Sequence, residues 1–447
     1  MNGRTPEPLA PYGTTAGDED PAADRLLAGW RETGRPADLA GHLRQHGPPP
    51  VAARAGSTTA ADLADAVEAA GLTGRGGAGF PTARKLRAVA AARGRALVVV
   101  NAMESEPASR KDQFLLAVAP HLVLDGAVIA ASAVGADTVH VCLPRLRHAQ
   151  FQRLGAAVEE RVHARLDPVR VRLHALPHAY VSSESTALAR WLGGGPARPR
   201  GSTPHLHDHG VAGRPTLLHN AETLAHLALV ARYGPAWFRQ AGTPGEPGTT
   251  LVTVSGAVTA PAVLEVALGT PIDTVLDRAG GPTEPLQAVL IGGFAGTWLP
   301  AEHLPTPFTR HDLAPLGAAP GAGVLVALPA SACGPRETAR MLSYLAAQGA
   351  RQCGPCRFGL PAVAGDFTTL AAGRADPELA SRLHRRTALL PERGACRHPD
   401  GAARLAASAL RTFAGDVGRH LTRGACPAAH RPPRIPVPPA TPPETWR

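Results

Sequence analysis

Residues 71 to 85 read Gly-Leu-Thr-Gly-Arg-Gly-Gly-Ala-Gly-Phe-Pro-Thr-Ala-Arg-Lys, and no other stretch limits the fold so tightly. Glycines at 71, 74, 76, 77 and 79 open backbone conformations closed to other residues and allow close approach to a bound group. Arg75, Arg84 and Lys85 add positive charge, so the stretch is suited to cradle a phosphate. A helix is expected just before it, because Thr59 and Asp62 are spaced as a capping box and Leu63, Val67 and Ala70 share one face before Gly71. A glycine-rich loop alone is a weak signal, since flexible turns share its composition.

Beyond the loop, helical and strand patterns alternate. Lys85 to Ala92 has helical spacing, and the apolar run Ala96 to Val100 predicts a buried strand. Its end delivers Asn101, Glu104, Ser105 and Glu106 to the place where open α/β sheets bind ligands. A helix over 120–134, a strand over 138–143, a helix over 149–165 and a strand over 169–173 continue the pattern, predicting a layered α/β domain over 56–243. Short strands, one helix and turn glycines then predict a small module over 244–328. Helical spacing over 337–347, 360–372, 377–390 and 402–421 predicts a four-helix bundle within 329–426. Residues 1–55 are expected to be disordered or irregular, with one or two short helices after 25, and 427–447 to form a disordered Pro-rich tail.

Composition narrows the function classes. The formal charge is +10, yet the cations are almost all arginine and aromatics are only 4% of the chain, which argues against nucleic acid as a partner. Lys85 and Lys111 are the only lysines, so a compact ammonium is expected to matter where they stand. Six cysteines in 447 residues make no disulfide framework and suit a reducing compartment. Without an apolar run of membrane-spanning length or a secretory leader, a cytoplasmic protein with no direct membrane span is expected.

Five segments, in order, carry a resemblance: GLTGRGGAGFPTARK from Gly71, NAMESEPASRKD from Asn101, YVSSESTAL from Tyr180, GRPTLLHNAETL from Gly213 and CGPCRFG from Cys353. Together they resemble the NADH-oxidising FMN/[4Fe-4S] flavoprotein subunit of respiratory complex I, a family shared with NAD-linked formate dehydrogenases and bidirectional hydrogenases. The resemblance implies a layered α/β FMN-binding domain, a small β-grasp domain of the ubiquitin-like, soluble-ligand-binding type, and a helical domain holding a [4Fe-4S] cluster. It implies NAD(H) as substrate and a thioredoxin-like iron-sulfur or ferredoxin-like protein as partner. Gly74, Arg75, Gly76, Gly77 and Lys85 would hold the flavin phosphate and ring edge. Asn101, Glu104, Ser105, Tyr180, Glu184, Thr186 and Asn220 would supply further hydrogen bonds, and Phe80 and Glu106 would meet the dinucleotide. Hydride transfer to flavin needs orientation but no protein acid or base, so no catalytic residue is assigned.

This chain also departs from the family pattern. Leu86, Arg87 and Ala88 follow the lysine where aromatic residues are usual; Met103 replaces an aspartate, Ser183 and Ser185 replace a glycine and a glutamate, and His219 replaces an asparagine. Cys353, Cys356 and Cys396 match cluster ligands, but Ala350 occupies the first cysteine position. A cubane needs a fourth ligand. Cys333 is the first choice, with Cys426 or His398 as others. The expected function is electron transfer between NAD(H), FMN and the cluster. The alternatives are a degenerate homologue acting as a scaffold or ligand-binding subunit, and a flavin and cluster protein fed by a protein donor.

Overall fold

Parallel pairing of short apolar strands frames the first half of the chain. The computed structural model describes residues 24–51, 59–201, 204–374, 376–440, 442–443 and 445–447. Helices α1 (Ala28–Thr33), α2 (Leu39–His46), α3 (Ala60–Ala70) and α4 (Thr82–Ala91) come first, followed by β1 (Leu97–Asn101), α5 (Lys111–Val118), α6 (Pro120–Ala133) and β2 (Thr138–Pro144). Then come α7 (His148–His163), β3 (Arg170–Leu176), α8 (Ser185–Leu192), α9 (Leu206–His209), β4 (Thr216–Asn220) and α10 (Ala221–Phe238). The capping box of Thr59 and Asp62 is formed, and Gly71 ends α3 at a φ of 72°.

The four strands lie in the order β3-β2-β1-β4, all parallel. Val98, Val99 and Val100 are fully buried, as a parallel strand covered on both faces requires. From β1 the chain steps outward to β2 and β3 and then returns to the other side of β1. The β1/β4 boundary is therefore a topological switch point, with Asn101 and Asn220 in register at its carboxyl end. Gly126 lets α6 press onto α10, since a Cβ there would lie 1.8 Å from the Leu224 oxygen. Helices α5 and α6 meet at 97°, and among the described residues no single helix is long and apolar enough to cross a membrane.

A second sheet is mixed. It contains β5 (Thr249–Gly256), β6 (Ala262–Ala267), β7 (Leu286–Ile291), β8 (Thr297–Pro300) and β9 (Val324–Pro329), with α11 (Ile272–Arg278) and α12 (Arg310–Leu313) between strands. The order is β6-β5-β9-β7-β8, where only β5 and β9 run parallel. Helices α13 (Gly334–Gln348), α14 (Leu360–Ala371), α15 (Leu379–Ala388), α16 (His398–Thr412) and α17 (Ala414–Arg423) complete the chain. Their apolar faces share a core with Phe294 and Trp298 of the mixed sheet. The α/β character expected from the sequence is thus present, with one parallel and one mixed sheet.

Three expectations need correction. The helix expected over 402–421 is two helices that break at Phe413. Residues 24–51 of the segment expected to be disordered or irregular are anchored, while 1–23 and 52–58 lie outside the described residues. The Glu265 carboxylate accepts from the backbone N–H groups of Arg25, Leu26 and Leu27 at 2.8–3.1 Å, and the Asp125 carboxylate meets His42 at 2.7 Å. The described residues after 427 are mostly exposed but anchored at points. Ile435 is buried, the Arg434 N–H donates to Glu337 at 2.8 Å, and the Ala197 N–H donates to the Trp446 carbonyl at 2.7 Å. Prolines remove donors but leave carbonyls and apolar side chains free to dock.

Candidate functional site

The glycine loop lies over the switch point. Its two ends are tied by the Gly74 N–H to the Phe80 carbonyl at 2.9 Å and the Thr82 N–H to the Leu72 carbonyl at 3.1 Å. Its middle is fastened to α10, where the Arg75 N–H donates to Thr223 Oγ1 at 2.8 Å. Gly76 sits against Asn220, since a Cβ there would come within 3.2 Å of the Asn220 Cβ. Gly77, at a φ of 106°, and Gly79, at 62°, occupy conformations that favour glycine. Arg310 reaches across from α12, donating to the Gly77 carbonyl at 3.2 Å.

Positive groups here are buried with few partners. Arg75 Nη1 donates to Thr73 Oγ1 at 3.0 Å, whereas its Nε and Nη2 are buried without a hydrogen-bond partner. Lys85 reaches the Leu218 carbonyl at 3.3 Å, and burial lowers its pKa from the ordinary lysine value. His219 is buried with Nε2 unpaired; burial and the nearby Lys85 charge hold it neutral. Orphaned donors beside glycine amides at a switch point fit an anionic ligand, and a flavin phosphate matches that demand. Phe80 is 43% exposed, with the Arg84 and Lys85 cations 5.7 and 5.8 Å from its ring centre.

Lys111 behaves differently. Its ammonium meets Asp112 and Glu222 at 2.7 Å each and Asn220 Oδ1 at 3.4 Å, and both carboxylates raise its pKa against the effect of burial. Glu222 also accepts from Thr250 Oγ1 and the Leu251 N–H, both at 2.9 Å, so this knot joins the two sheets. Other residues singled out in the sequence are similarly engaged. Glu104, at a φ of 38°, accepts from Ser109 Oγ and the Asp112 and Gln113 N–H groups at 2.8–3.0 Å and so caps α5. Glu184 caps α8 through the Thr186 and Ala187 N–H groups at 2.9 and 3.2 Å, and Thr186 Oγ1 accepts from the Arg200 N–H at 3.0 Å.

The rim continues toward the helices. Asn101 Nδ2 donates to the Ser183 carbonyl at 2.9 Å, and Ser105 Oγ donates to the Tyr180 carbonyl at 2.6 Å. Tyr180 gives its hydroxyl to Glu106 at 3.0 Å, while its N–H donates to Gln348 of α13 at 3.1 Å. Glu106 also accepts the Phe294 N–H at 3.0 Å; burial pushes its carboxyl up to about 7. The Tyr180 ring stands 5.3 Å from that of His398, two residues beyond Cys396.

Cys353, Cys356 and Cys396 come together on this side. Burial first, then the neighbouring Cys353 and Cys396, push the Cys356 thiol up to about 12. Two backbone N–H groups point at sulfur, Arg351 to Cys356 and His398 to Cys396. Arg351 takes a left-handed φ of 55°. Amides aimed at sulfur and gathered thiols are what an iron-sulfur centre uses, so these three residues fit three of its ligands. Ala350 is buried and offers none. Cys333 does not complete the set: it is grouped instead with His420 and Cys426, because it starts α13 while the other cysteines follow that helix. His398 has Nε2 on the Leu345 carbonyl at 2.9 Å and a buried, unpaired Nδ1.

Arg310, in α12 between β8 and β9, carries no signal in the sequence, since an isolated arginine there looks like any surface arginine, and Thr223 lies within the segment from Gly213 but is not singled out by it.

Comparisons with known proteins agree with this layout. Residues 67–229 match the Nuo51 FMN-binding domain, 251–293 the SLBB domain, and 336–420 the NADH-ubiquinone oxidoreductase-F iron-sulfur binding region. The chain is 31% identical to the F subunit of NADH-quinone oxidoreductase from Streptomyces coelicolor over 379 residues, covering 82% of this chain and 84% of that one. It is 32% identical to the corresponding protein of Mycobacterium bovis over 383 residues, covering 82% and 86%. The air-oxidised NAD+-reducing [NiFe]-hydrogenase superposes with a TM-score of 0.77 at 31% identity, over 89% of this chain and 67% of that one. The chain belongs to the family of NADH-quinone oxidoreductase F subunits.

Proposed function

We propose that this chain is the electron-entry subunit of a larger oxidoreductase, moving electrons between NAD(H), FMN and a [4Fe-4S] cluster. The observation that carries the reading is the pair of unpartnered Arg75 donors in the glycine loop, in a chain whose helical part gathers Cys353, Cys356 and Cys396. FMN, when bound, accepts a hydride from nicotinamide, and the cluster accepts electrons singly. Arg75, Lys85 and the amides of Gly74, Gly76 and Gly77 hold the phosphate, and Asn101 and Asn220 mark the floor of the crevice. Phe80 offers an exposed ring to the dinucleotide. Ser105, Tyr180 and Ser183 form the wall between flavin and cluster, and Glu184 lies close enough to influence Cys396.

Cys353, Cys356 and Cys396 serve as thiolate ligands, with His398 Nδ1 as the fourth donor. Residues 244–328 serve as the β-grasp module, and α13 to α17 as the helical unit that holds the cluster. A thioredoxin-like iron-sulfur or ferredoxin-like protein takes the electrons onward. The test is anaerobic stopped-flow mixing of the FMN-loaded chain with NADH. Bleaching of the flavin band supports the reading. Binding of FMN without bleaching by NADH overturns NADH as donor and favours a protein donor, consistent with the lack of an aromatic residue among Leu86, Arg87 and Ala88.

A further inference from the structure

Away from the flavin crevice and the three cluster cysteines, a second set of soft donors is buried together. Cys333 sits just before α13, His420 lies in α17 and Cys426 follows that helix. All three are buried, and their ligand atoms lie within 4.8 Å of one another. Cys333 Sγ is 3.6 Å from His420 Nε2.

The protonation pattern is set by the surroundings. His420 Nδ1 lies 2.9 Å from the Leu370 carbonyl, which can only accept, so Nδ1 carries the proton and Nε2 presents its lone pair. That lone pair accepts the Cys426 N–H at 3.2 Å and faces the Cys333 sulfur, and a metal bound there would take the place of that N–H. A carbonyl on the far ring nitrogen is the usual way a metal-binding imidazole is oriented. The Arg336 N–H, in the first turn of α13, points at the Cys333 sulfur, against the burial that pushes that thiol up to about 12.

A thiol donating to imidazole in a packed core accounts for Cys333 and His420. It leaves unexplained why a second thiol, far in sequence from Cys333, brings its sulfur to the same point. Two thiolates and one neutral imidazole in a closed interior suit a tetrahedral, borderline-soft divalent cation. We propose that Cys333, His420 and Cys426 bind a structural zinc ion. These three residues fill three of the four tetrahedral positions, and the fourth is left to a water molecule. The ion would brace the entry of the helical unit against its last helix. This inference does not depend on the flavin or the cluster.

The test uses the full chain purified anaerobically, with metal content measured by elemental mass spectrometry and cobalt uptake followed by absorbance. Wild type should carry about one zinc per chain, and so should a Cys353→Ser/Cys356→Ser double variant. Cys426→Ser and His420→Ala should lose it, and cobalt should give thiolate charge-transfer and tetrahedral ligand-field bands only where Cys333 and Cys426 are intact. Cys333→His, which keeps a zinc donor, should fold and retain zinc, separating lost ligation from misfolding. A zinc-free wild type that takes up no cobalt, or zinc content unchanged in Cys426→Ser, overturns the proposal. So does recovery of a Cys333–Cys426 disulfide from metal-free protein, which would make the pair a redox couple.

Discussion

The backbone N–H of Arg75 donates to Thr223 Oγ1 across 2.8 Å, which fixes the glycine loop to the first turn of α10. The loop is therefore held open by the protein itself, while the Arg75 side chain keeps two buried nitrogens without a partner. Burying polar donors without acceptors costs stability unless a ligand supplies them.

Arg75→Met should therefore separate stability from binding. Relief of two unpartnered donors is set against the lost Thr73 bond and the lost attraction of Glu222 and Glu246, so the ligand-free variant should stay within about 1 kcal/mol of wild type in stability. Its FMN affinity should fall by about 10- to 100-fold through loss of charge-assisted hydrogen bonds. Urea unfolding and flavin-fluorescence titration measure the two effects; a loss of both stability and affinity would point to a structural arginine.

Lys111→Met should act in the opposite way. It leaves Asp112 and Glu222 buried without their cation, and breaking such a pair costs about 3–5 kcal/mol. A urea midpoint within experimental error of wild type would contradict the network described.

Iron content should separate the cysteines. Cys356→Ser should lose most of its iron under anaerobic reconstitution, because Cys356 lies with Cys353 and Cys396. Cys333→Ser should keep it, since Cys333 is grouped with His420 and Cys426. Equal iron loss in both variants would return Cys333 to the cluster.

Acid should weaken the parallel sheet through His140 and His174, whose rings stack with Nδ1 and Nε2 2.9 Å apart. Burial, then the charge of His174, lowers His140 to about 4, and burial also lowers His174. The folded state thus binds fewer protons than the unfolded state below pH 6.5, so stability is full above that value and falls as pH drops toward 4. The rings are only partly buried, so the loss from pH 7 to 5 should be about 1 kcal/mol. Denaturation curves for wild type and His140→Leu should converge as pH falls; parallel pH profiles would contradict the assignment.

Local patterns announced some features and not others. The capping box at Thr59, the end of α3 at Gly71 and the buried β1 run are short-range features, and each was legible from neighbouring residues. β4 was not, because Thr216 to Asn220 is a short run between glycine and helix, and its identity comes from pairing with β1 across more than a hundred residues. The docking of residues 24–51 was equally hidden: it depends on Glu265 and Asp125, carboxylates far along the chain. Within the site, the loop and Lys85 could be read from spacing. The engagement of Glu104 and Glu184 as helix caps could not, since a carboxylate in a motif looks the same whether a ligand or a backbone amide meets it. The separation of Cys333 from the other cysteines depends on where α13 points.

The most direct measurement is combined flavin and iron analysis of the chain purified and reconstituted without oxygen. The account predicts about one FMN and about four irons per chain, with the flavin content reduced in Arg75→Met and most of the iron lost from Cys356→Ser. A colourless protein that takes up neither group after reconstitution would contradict it.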